Sequence, residues 1–244
     1  MQKLNIVIGI LAALFFVSAS AFAYESMDVK NGGSIEGTVE FAGTPVPTDQ
    51  VVKVMAEYIP YCGKTLPAGR YLIKDRKIKN VVVYIENIDA GRPTPAESVT
   101  MTNLQCAFVP HVAVGFKGAN FIERNDDQIP HNIHTYWGGR TMYNVDLPGE
   151  GMSITKPLKK TGLVEIECDN HHWMHGYLYI ADNPYVAITD ENGQFSLKDV
   201  PAGTYTVVAW HEMLDKIVTY KVKVESGKVT TLKLEYQEVP RFLR

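Results

Sequence analysis

The chain has 244 residues with a formal net charge of −3, and 45% of its residues are hydrophobic. No long stretch is dominated by one sign of charge, which argues against a nucleic-acid partner because phosphate binding needs concentrated basic side chains. The length allows one large domain or two small ones, and we favour two.

The first 23 residues have the pattern of a secretory signal peptide. Lys3 gives a basic start, residues 6–17 form an apolar run, and Ala21-Phe22-Ala23 has the small-x-small form of a cleavage site. The apolar run is shorter than the roughly 20 residues that a membrane-spanning helix needs, which disfavours a retained anchor. We expect cleavage near Ala23, export to the periplasm or beyond, and no membrane span in the mature chain.

Nearly every periodic segment of the remaining chain predicts a strand. Apolar and polar residues alternate in residues 34–41 and 164–168, and residues 81–85 form a β-branched run. Prolines spaced through the first half leave little room for a long helix. The sequence therefore predicts an all-β protein built from two β-sandwiches.

The chain contains three cysteines, Cys62, Cys106 and Cys168. In an exported protein an odd number means that at most two of them pair internally. Cys168 stands among candidate metal ligands, whereas Cys62 and Cys106 lie among ordinary loop and strand residues. A Cys62–Cys106 disulfide fits an oxidising compartment, although the sequence does not show that the two cysteines approach each other.

A thiol, imidazoles and a thioether crowd one short predicted loop, which carries Cys168, His171, Met174 and His175. Alternation along the preceding strand points Cys168 inward. A further imidazole, His131, follows a turn-like stretch at residues 125–127. Such a mixture suits copper in both oxidation states, because Cu(I) favours soft sulfur and Cu(II) also accepts imidazole nitrogen.

The spacing Cys-x-x-His-x-x-Met at residues 168–174 and the run Pro-His-Asn-x-His at residues 130–134 resemble the cupredoxins, and the amicyanin type most closely. The Phe-x-Pro strand at residues 108–110 is also similar to that family. The resemblance spans about residues 94–182 and implies a Greek-key cupredoxin-like copper domain. His172 departs from the pattern, because it stands where the amicyanin type has a proline.

Residue by residue, the resemblance implies that His131, Cys168 and His171 are the strong ligands of one copper ion and that Met174 is its weak axial ligand. Asn132 would be the outer residue that ties the two ligand loops together. His175 is an alternative to Met174, and that exchange would make the site better suited to Zn(II) or to Cu(II) alone.

The C-terminal part has two turn signals, Asn192-Gly193 and Pro201-Ala202-Gly203, inside the strand-like run 189–210. This run resembles the carboxypeptidase regulatory-like sandwich, which is transthyretin-like (prealbumin-like). Its usual opening strand appears far upstream, at residues 33–41. We therefore predict a discontinuous domain of residues 33–93 and 183–237 with the copper domain, residues 94–182, inserted into it. The rival division is a continuous module from 24 to 182 followed by a small tail domain.

The resemblance implies a protein that passes single electrons between redox partners, such as a cytochrome or a dehydrogenase. An enzyme is disfavoured, because copper enzymes of the nitrite-reductase or oxidase type relay electrons through a Cys-His dipeptide and this chain has Cys168-Asp169. Two alternatives stay open. One is copper storage or delivery through the same residues, and the other is a structural module that binds a partner and carries its metal incidentally.

Overall fold

The structure is a computed structural model that describes residues 24–43, 51–67, 73–214 and 217–237. The predicted signal peptide, residues 1–23, lies outside the described residues. The regular secondary structure of the described residues is almost entirely strand, which confirms the all-β prediction. None of its helices has the length and apolar character needed to cross a membrane.

The described residues of the first part of the chain form eight strands, which are short except for the second strand. They are β1 (Glu25–Ser26), β2 (Gly33–Phe41), β3 (Val51–Lys53), β4 (Thr65–Pro67), β5 (Ile73–Lys74), β6 (Lys77–Ile78), β7 (Val82–Ile85) and β8 (Ala90–Gly91). Between β3 and β4 lie a 3-10 turn (Ala56–Tyr58) and the one-turn helix α1 (Ile59–Cys62).

The middle of the chain forms nine strands. They are β9 (Val99–Leu104), β10 (Ala107–Val109), β11 (Val112–Phe116), β12 (Asn120–Asn125), β13 (His131–Trp137), β14 (Arg140–Leu147), β15 (Ser153–Pro157), β16 (Gly162–Glu167) and β17 (His175–Ala181). The last part forms β18 (Val186–Ile188), β19 (Gln194–Val200), β20 (Gly203–Trp210), β21 (Val218–Val224) and β22 (Val229–Tyr236).

Two sheets from the middle of the chain make one sandwich, which we call the central sandwich. One sheet has the strand order β10-β9-β12-β15 and the other has the order β11-β17-β16-β13-β14. Residues from both sheets, among them Phe121, Ile133 and Leu178, share one buried core. Because alternate residues of a strand face opposite sides of its sheet, the inward positions of β16 are the apolar Val164 and Ile166.

Strands from both ends of the chain make the second sandwich, which we call the flanking sandwich. Its sheets have the orders β18-β7-β20-β21 and β19-β2-β6-β5, with β22 paired in parallel to β2. Its core includes Ile35, Val207 and Leu234. Aromatic pairs join it to the central sandwich, since the ring centroids of Tyr84 and Tyr179 lie 4.7 Å apart.

One segment departs from the predicted division of the chain. Residues 51–67 were assigned by sequence to the first part of the flanking domain, but Val54 and Cys62 are buried in the core of the central sandwich. Within the described part of the chain, the strands β3 and β4 pair only with each other. This segment therefore packs on the central sandwich as a separate covering element.

Candidate metal centre

Three buried side chains converge at one end of the central sandwich. The Nδ1 atoms of His131 and His171 lie 2.9 Å apart, and the Cys168 sulfur lies 3.9 Å from the first and 3.5 Å from the second. All three residues are at most 1% exposed. Among the described residues, this is the one group of His, Cys, Asp and Glu side chains arranged to hold a metal ion.

Strand pairing brings these residues together. The strands β13 and β16 are antiparallel neighbours with His134 opposite Glu167, so the beginning of β13, at His131, lies beside the end of β16, which precedes Cys168. The two positive-φ glycines Gly138 and Gly139 form the tight turn that returns the chain from β13 to β14.

The loop after Cys168 is short and held by its own main chain. The amide of His171 donates to the carbonyl of Cys168 at 3.2 Å, and the amide of Met174 donates to the carbonyl of His171 at 2.8 Å. The amide of Cys168 also donates to the carbonyl of Met174 at 3.4 Å. These bonds fold the imidazole of His171 back over the Cys168 sulfur.

Asp127 fixes the orientation of the His131 ring. Its carboxylate lies 3.0 Å from Nε2 of His131, so this nitrogen carries a proton and Nδ1 is turned towards Cys168 and His171. Burial raises the pKa of the Asp127 carboxyl, but hydrogen bonds from His131 and from the main-chain amides of Cys106 and Gln105 outweigh burial and hold the pKa below its usual value.

The Cys168 thiol is strongly acidic for a buried group. Burial raises its pKa, but hydrogen bonds to His131 and His171 and one from the Asn132 amide outweigh burial and lower the pKa to about 6. Burial lowers the pKa of His131, whereas Asp127 and Cys168 raise it above its usual value by a larger amount. Near neutral pH the Cys168 thiol is therefore ionised, and the raised pKa of His131 favours the protonated imidazole beside it.

Asn132 connects the two ligand-bearing segments. Its side-chain oxygen accepts a hydrogen bond from the Asp169 amide at 2.6 Å, and its side-chain amide donates to the Asp169 carboxylate at 3.0 Å. Its own main-chain amide lies 3.5 Å from the Cys168 sulfur. These contacts join the residue after the first histidine to the residue after the cysteine, and the role of Asn132 at a metal site stays a prediction.

The two candidates for the fourth ligand differ in position. Met174 is 2% exposed and belongs to the buried core cluster that contains Cys168. His175 starts β17 on the outward side, where its ring nitrogens face the Glu167 carboxylate at 3.4 Å and the His172 carbonyl at 3.0 Å. The structure therefore does not bring His175 into the group, and the role of Met174 as axial ligand stays a prediction.

Three further histidines lie outside the group. His134 faces away from His131, as expected three residues along a strand, and its Nδ1 lies 2.9 Å from the Asp169 carboxylate. His111 contacts the carboxylate of Glu212 from the flanking sandwich. Burial lowers the pKa of His211 to about 4.

A disulfide joins Cys62 to Cys106 with a Cα–Cα distance of 5.6 Å, so the pairing that the sequence suggested is present. Two other features around the centre were not identified from the sequence. The ring of Tyr58 packs edge-on against His171, with the centroids 4.3 Å apart. Asp127 was read only as part of a turn. Tyr58 stands four residues before Cys62 in the sequence. This position places Tyr58 near the centre only once the Cys62–Cys106 disulfide is known.

The donor set fits copper. One soft thiolate and two imidazole nitrogens converge inside a core of apolar side chains, and such a set serves both Cu(I) and Cu(II). His131 and His171 both present Nδ1 to the same point, and the second nitrogen of His131 is hydrogen-bonded to Asp127, the outer arrangement that orients metal-binding histidines. The fold and the site together define an all-β protein with a buried His-Cys-His group.

Comparison with protein families gives one match in the C-terminal half. A family model described as "Polysaccharide lyase family 4, domain II" matches residues 160–232, which is under a third of the chain. This family is not the carboxypeptidase regulatory-like family, so that resemblance stays a prediction. No curated protein sequence matches the chain significantly.

Several solved structures are similar to part of the chain. An amicyanin variant in its Cu(I) form is 14% identical with a TM-score of 0.31, and the match covers 34% of this chain and 82% of that one. A purple cupredoxin from Nitrosopumilus maritimus is 22% identical with a TM-score of 0.27, over 30% of this chain and 81% of that one. The copper-containing nitrite reductase of Thermus scotoductus SA-01 is 19% identical with a TM-score of 0.32, over 40% of this chain and 25% of that one. At TM-scores this low, the likenesses do not establish a shared fold.

Proposed function

We propose that this chain binds one copper ion through His131, Cys168 and His171, with Met174 as a weak axial ligand, and that it transfers single electrons between redox proteins outside the cytoplasm. The observation that carries the proposal is the convergence of the Cys168 sulfur and two Nδ1 atoms within 4.8 Å of one another in a buried site. Bound copper would take up and release one electron by changing between Cu(II) and Cu(I).

The protein supplies a closely held set of ligands, of which Cys168 is already ionised at neutral pH. Cys168 has a pKa of about 6, so its thiolate is present at neutral pH without assistance from the ion. His131 gives up its Nδ1 proton on metal binding, while the Asp127 carboxylate keeps the opposite nitrogen protonated. Metal binding should therefore weaken as the pH falls, first because His131 gains its Nδ1 proton and then, below about 6, because Cys168 is protonated as well.

The frame around the ligands favours electron transfer over catalysis on a substrate. The ligands lie on paired strands and on a loop closed by three main-chain hydrogen bonds, so they have little freedom to rearrange. Their burial also keeps water from the position that an open catalytic metal site leaves free. Redox partners and export from the cytoplasm are part of the proposal, and both follow from the sequence interpretation.

The test is the optical spectrum of the copper-loaded mature chain. We expect a visible charge-transfer band from the Cys168 sulfur to Cu(II) that one equivalent of reductant removes and an oxidant restores. Cys168→Ser should abolish the band. His175→Ala is the matched control and should keep it, because both nitrogens of His175 face groups outside the centre.

A loaded protein that stays colourless and shows no redox change would contradict the proposal. The alternative of copper storage or delivery predicts a different outcome, namely rapid loss of copper from the wild-type protein to a mild chelator. The burial of all three ligands favours slow loss.

A further inference from the structure

The segment 51–67, which we call the cap, covers the metal centre. Its two strands form an isolated pair of three residues each, and such a small sheet has little stability of its own. The cap is held to the central sandwich by buried Val54, by the Cys62–Cys106 disulfide and by the partly buried ring of Tyr58.

The cap reaches one of the two imidazoles directly. The ring of Tyr58 stands edge-on to the His171 ring with an interplanar angle of 77°, and Trp173 packs against the same imidazole with the centroids 5.1 Å apart. The side chain of His171 is completely buried, and its Nε2 has no hydrogen-bond partner among the described residues. Tyr58 and Trp173 thus limit the movement of His171 and its access to water.

The disulfide is linked to the other imidazole, that of His131, through a hydrogen-bonded carboxylate. The amide of Cys106 donates to the Asp127 carboxylate at 2.8 Å, and the same oxygen lies 3.0 Å from Nε2 of His131. The carbonyl of Cys106 accepts a hydrogen bond from the Trp173 indole at 3.2 Å. Both metal-binding imidazoles are therefore connected to Cys106, one through Asp127 and the other through Trp173 and the cap.

We propose that Tyr58 and Asp127 are positioning residues for His171 and His131, and that the Cys62–Cys106 disulfide holds both in place so that the centre retains its ion. This inference rests on the proposed copper site and adds to it the elements that control exchange. With the disulfide intact, the ion leaves only if the cap opens. Without it, the short β3–β4 pair loses its main attachment, and water or a competing ligand reaches His171.

The cap has no counterpart in the ligand motif, since its residues stand more than 60 positions before His131 in the chain. Its effect is nevertheless expected to be large. Outer residues that orient metal ligands typically change metal affinity by about 10–100-fold. We expect a change of the same order, about tenfold or more, in the rate of metal release.

The test is the rate at which Cu(I)-loaded protein transfers its ion to a Cu(I) chelator such as bicinchoninate. The double variant Cys62→Ser/Cys106→Ser should release the ion about tenfold faster or more than the wild type. Tyr58→Ala, with the disulfide intact, should also release it faster, and Tyr58→Phe should restore the slow rate because the ring contact does not need the hydroxyl. Tyr61→Ala, in the adjoining helix α1, is the matched control, since Tyr61 is 62% exposed, and it should release at the wild-type rate.

A spectroscopic readout separates positioning from general destabilisation. Asp127→Asn and Tyr58→Ala should alter the paramagnetic resonance signal of the Cu(II) form, whereas Tyr61→Ala should leave it unchanged. If the wild type binds copper and shows its charge-transfer band, but Tyr58→Ala releases the ion as slowly as the wild type with an unchanged signal, the inference is wrong and the proposed function stands. If the wild type binds no copper, the proposed function itself fails.

Discussion

The two sandwiches differ in how their cores treat polar groups. In the flanking sandwich the buried hydroxyls of Tyr185 and Tyr236 donate to main-chain carbonyls, at 2.9 Å and 2.7 Å. Its Glu212, which contacts His111 of the central sandwich, has one oxygen without a partner among the described residues. In the central sandwich Asn103 and Glu123 are 1% exposed, and both keep side-chain atoms without a hydrogen-bond partner among the described residues. Such groups lower stability, because a buried polar atom that loses its water costs free energy unless it is paired.

The comparison indicates that the two sandwiches have different roles. The flanking sandwich has a core that mainly stabilises the fold, whereas the central sandwich holds a thiolate, two imidazoles and a carboxyl in one apolar interior. Bound metal should therefore add stability to the central sandwich, because an ion that binds only the folded state shifts the folding equilibrium.

Matched leucine truncations provide the strongest test of this difference. Leu178→Ala in the central sandwich and Leu234→Ala in the flanking sandwich remove side chains that are 1% and 0% exposed. Each should lower the free energy of unfolding by about 2–5 kcal/mol. In urea titrations copper should offset the loss in Leu178→Ala more than that in Leu234→Ala. Equal recovery of both variants would show that the two cores unfold as one unit and would break the comparison.

Glu123 gives a pH-dependent test confined to the central sandwich. Burial raises its pKa from 4.5 to about 8, against the hydrogen bond from Tyr143 and the charge of Lys156. The folded chain therefore keeps a proton on Glu123 that the unfolded chain loses, and the contribution of Glu123 to folding stability should fall as the pH rises from about 4.5 to 8. The expected slope is about 1.4 kcal/mol per pH unit at most.

Urea midpoints measured between pH 5 and pH 9 check this expectation. The stability difference between the wild type and Glu123→Gln should change over this range, whereas the difference between the wild type and Glu165→Gln, which replaces an exposed residue of β16, should stay constant. Parallel curves for the wild type and Glu123→Gln would mean that the carboxyl is ionised in the folded protein.

The smallest effect is expected on the surface of the flanking sandwich. Glu40 pairs with Lys77 and, at 3.0 Å, with Lys233, and these lysines lower its pKa, the Lys77 hydrogen bond most of all. The stabilisation is present above the usual carboxyl pKa and is lost as the pH falls through the lower folded value. Glu40→Gln should cost at most about 1 kcal/mol in low salt. The difference from wild type should shrink in 1 M salt, and a loss that is independent of salt would exclude an electrostatic origin.

The sequence identified much of the centre and little of its surroundings. Strand alternation was enough to predict that Cys168 points inward, because it acts within a few residues, and the resemblance of two short motifs to the cupredoxins selected His131 and His171. Tyr58 and Asp127 could not be assigned, since their roles depend on which loops meet in space. The same reason explains why His175 was kept as an alternative ligand: only the start of β17 decides the side to which its ring points.

The central claim is that one copper ion is bound by the sulfur of Cys168 and the Nδ1 atoms of His131 and His171. X-ray absorption at the copper edge tests it most directly, because it identifies the atoms bound to the metal. We predict one short sulfur neighbour and two imidazole nitrogens in the wild type, and loss of the short sulfur in Cys168→Ser. A wild-type spectrum with only nitrogen and oxygen neighbours, or a short sulfur that persists in Cys168→Ser, would contradict the account.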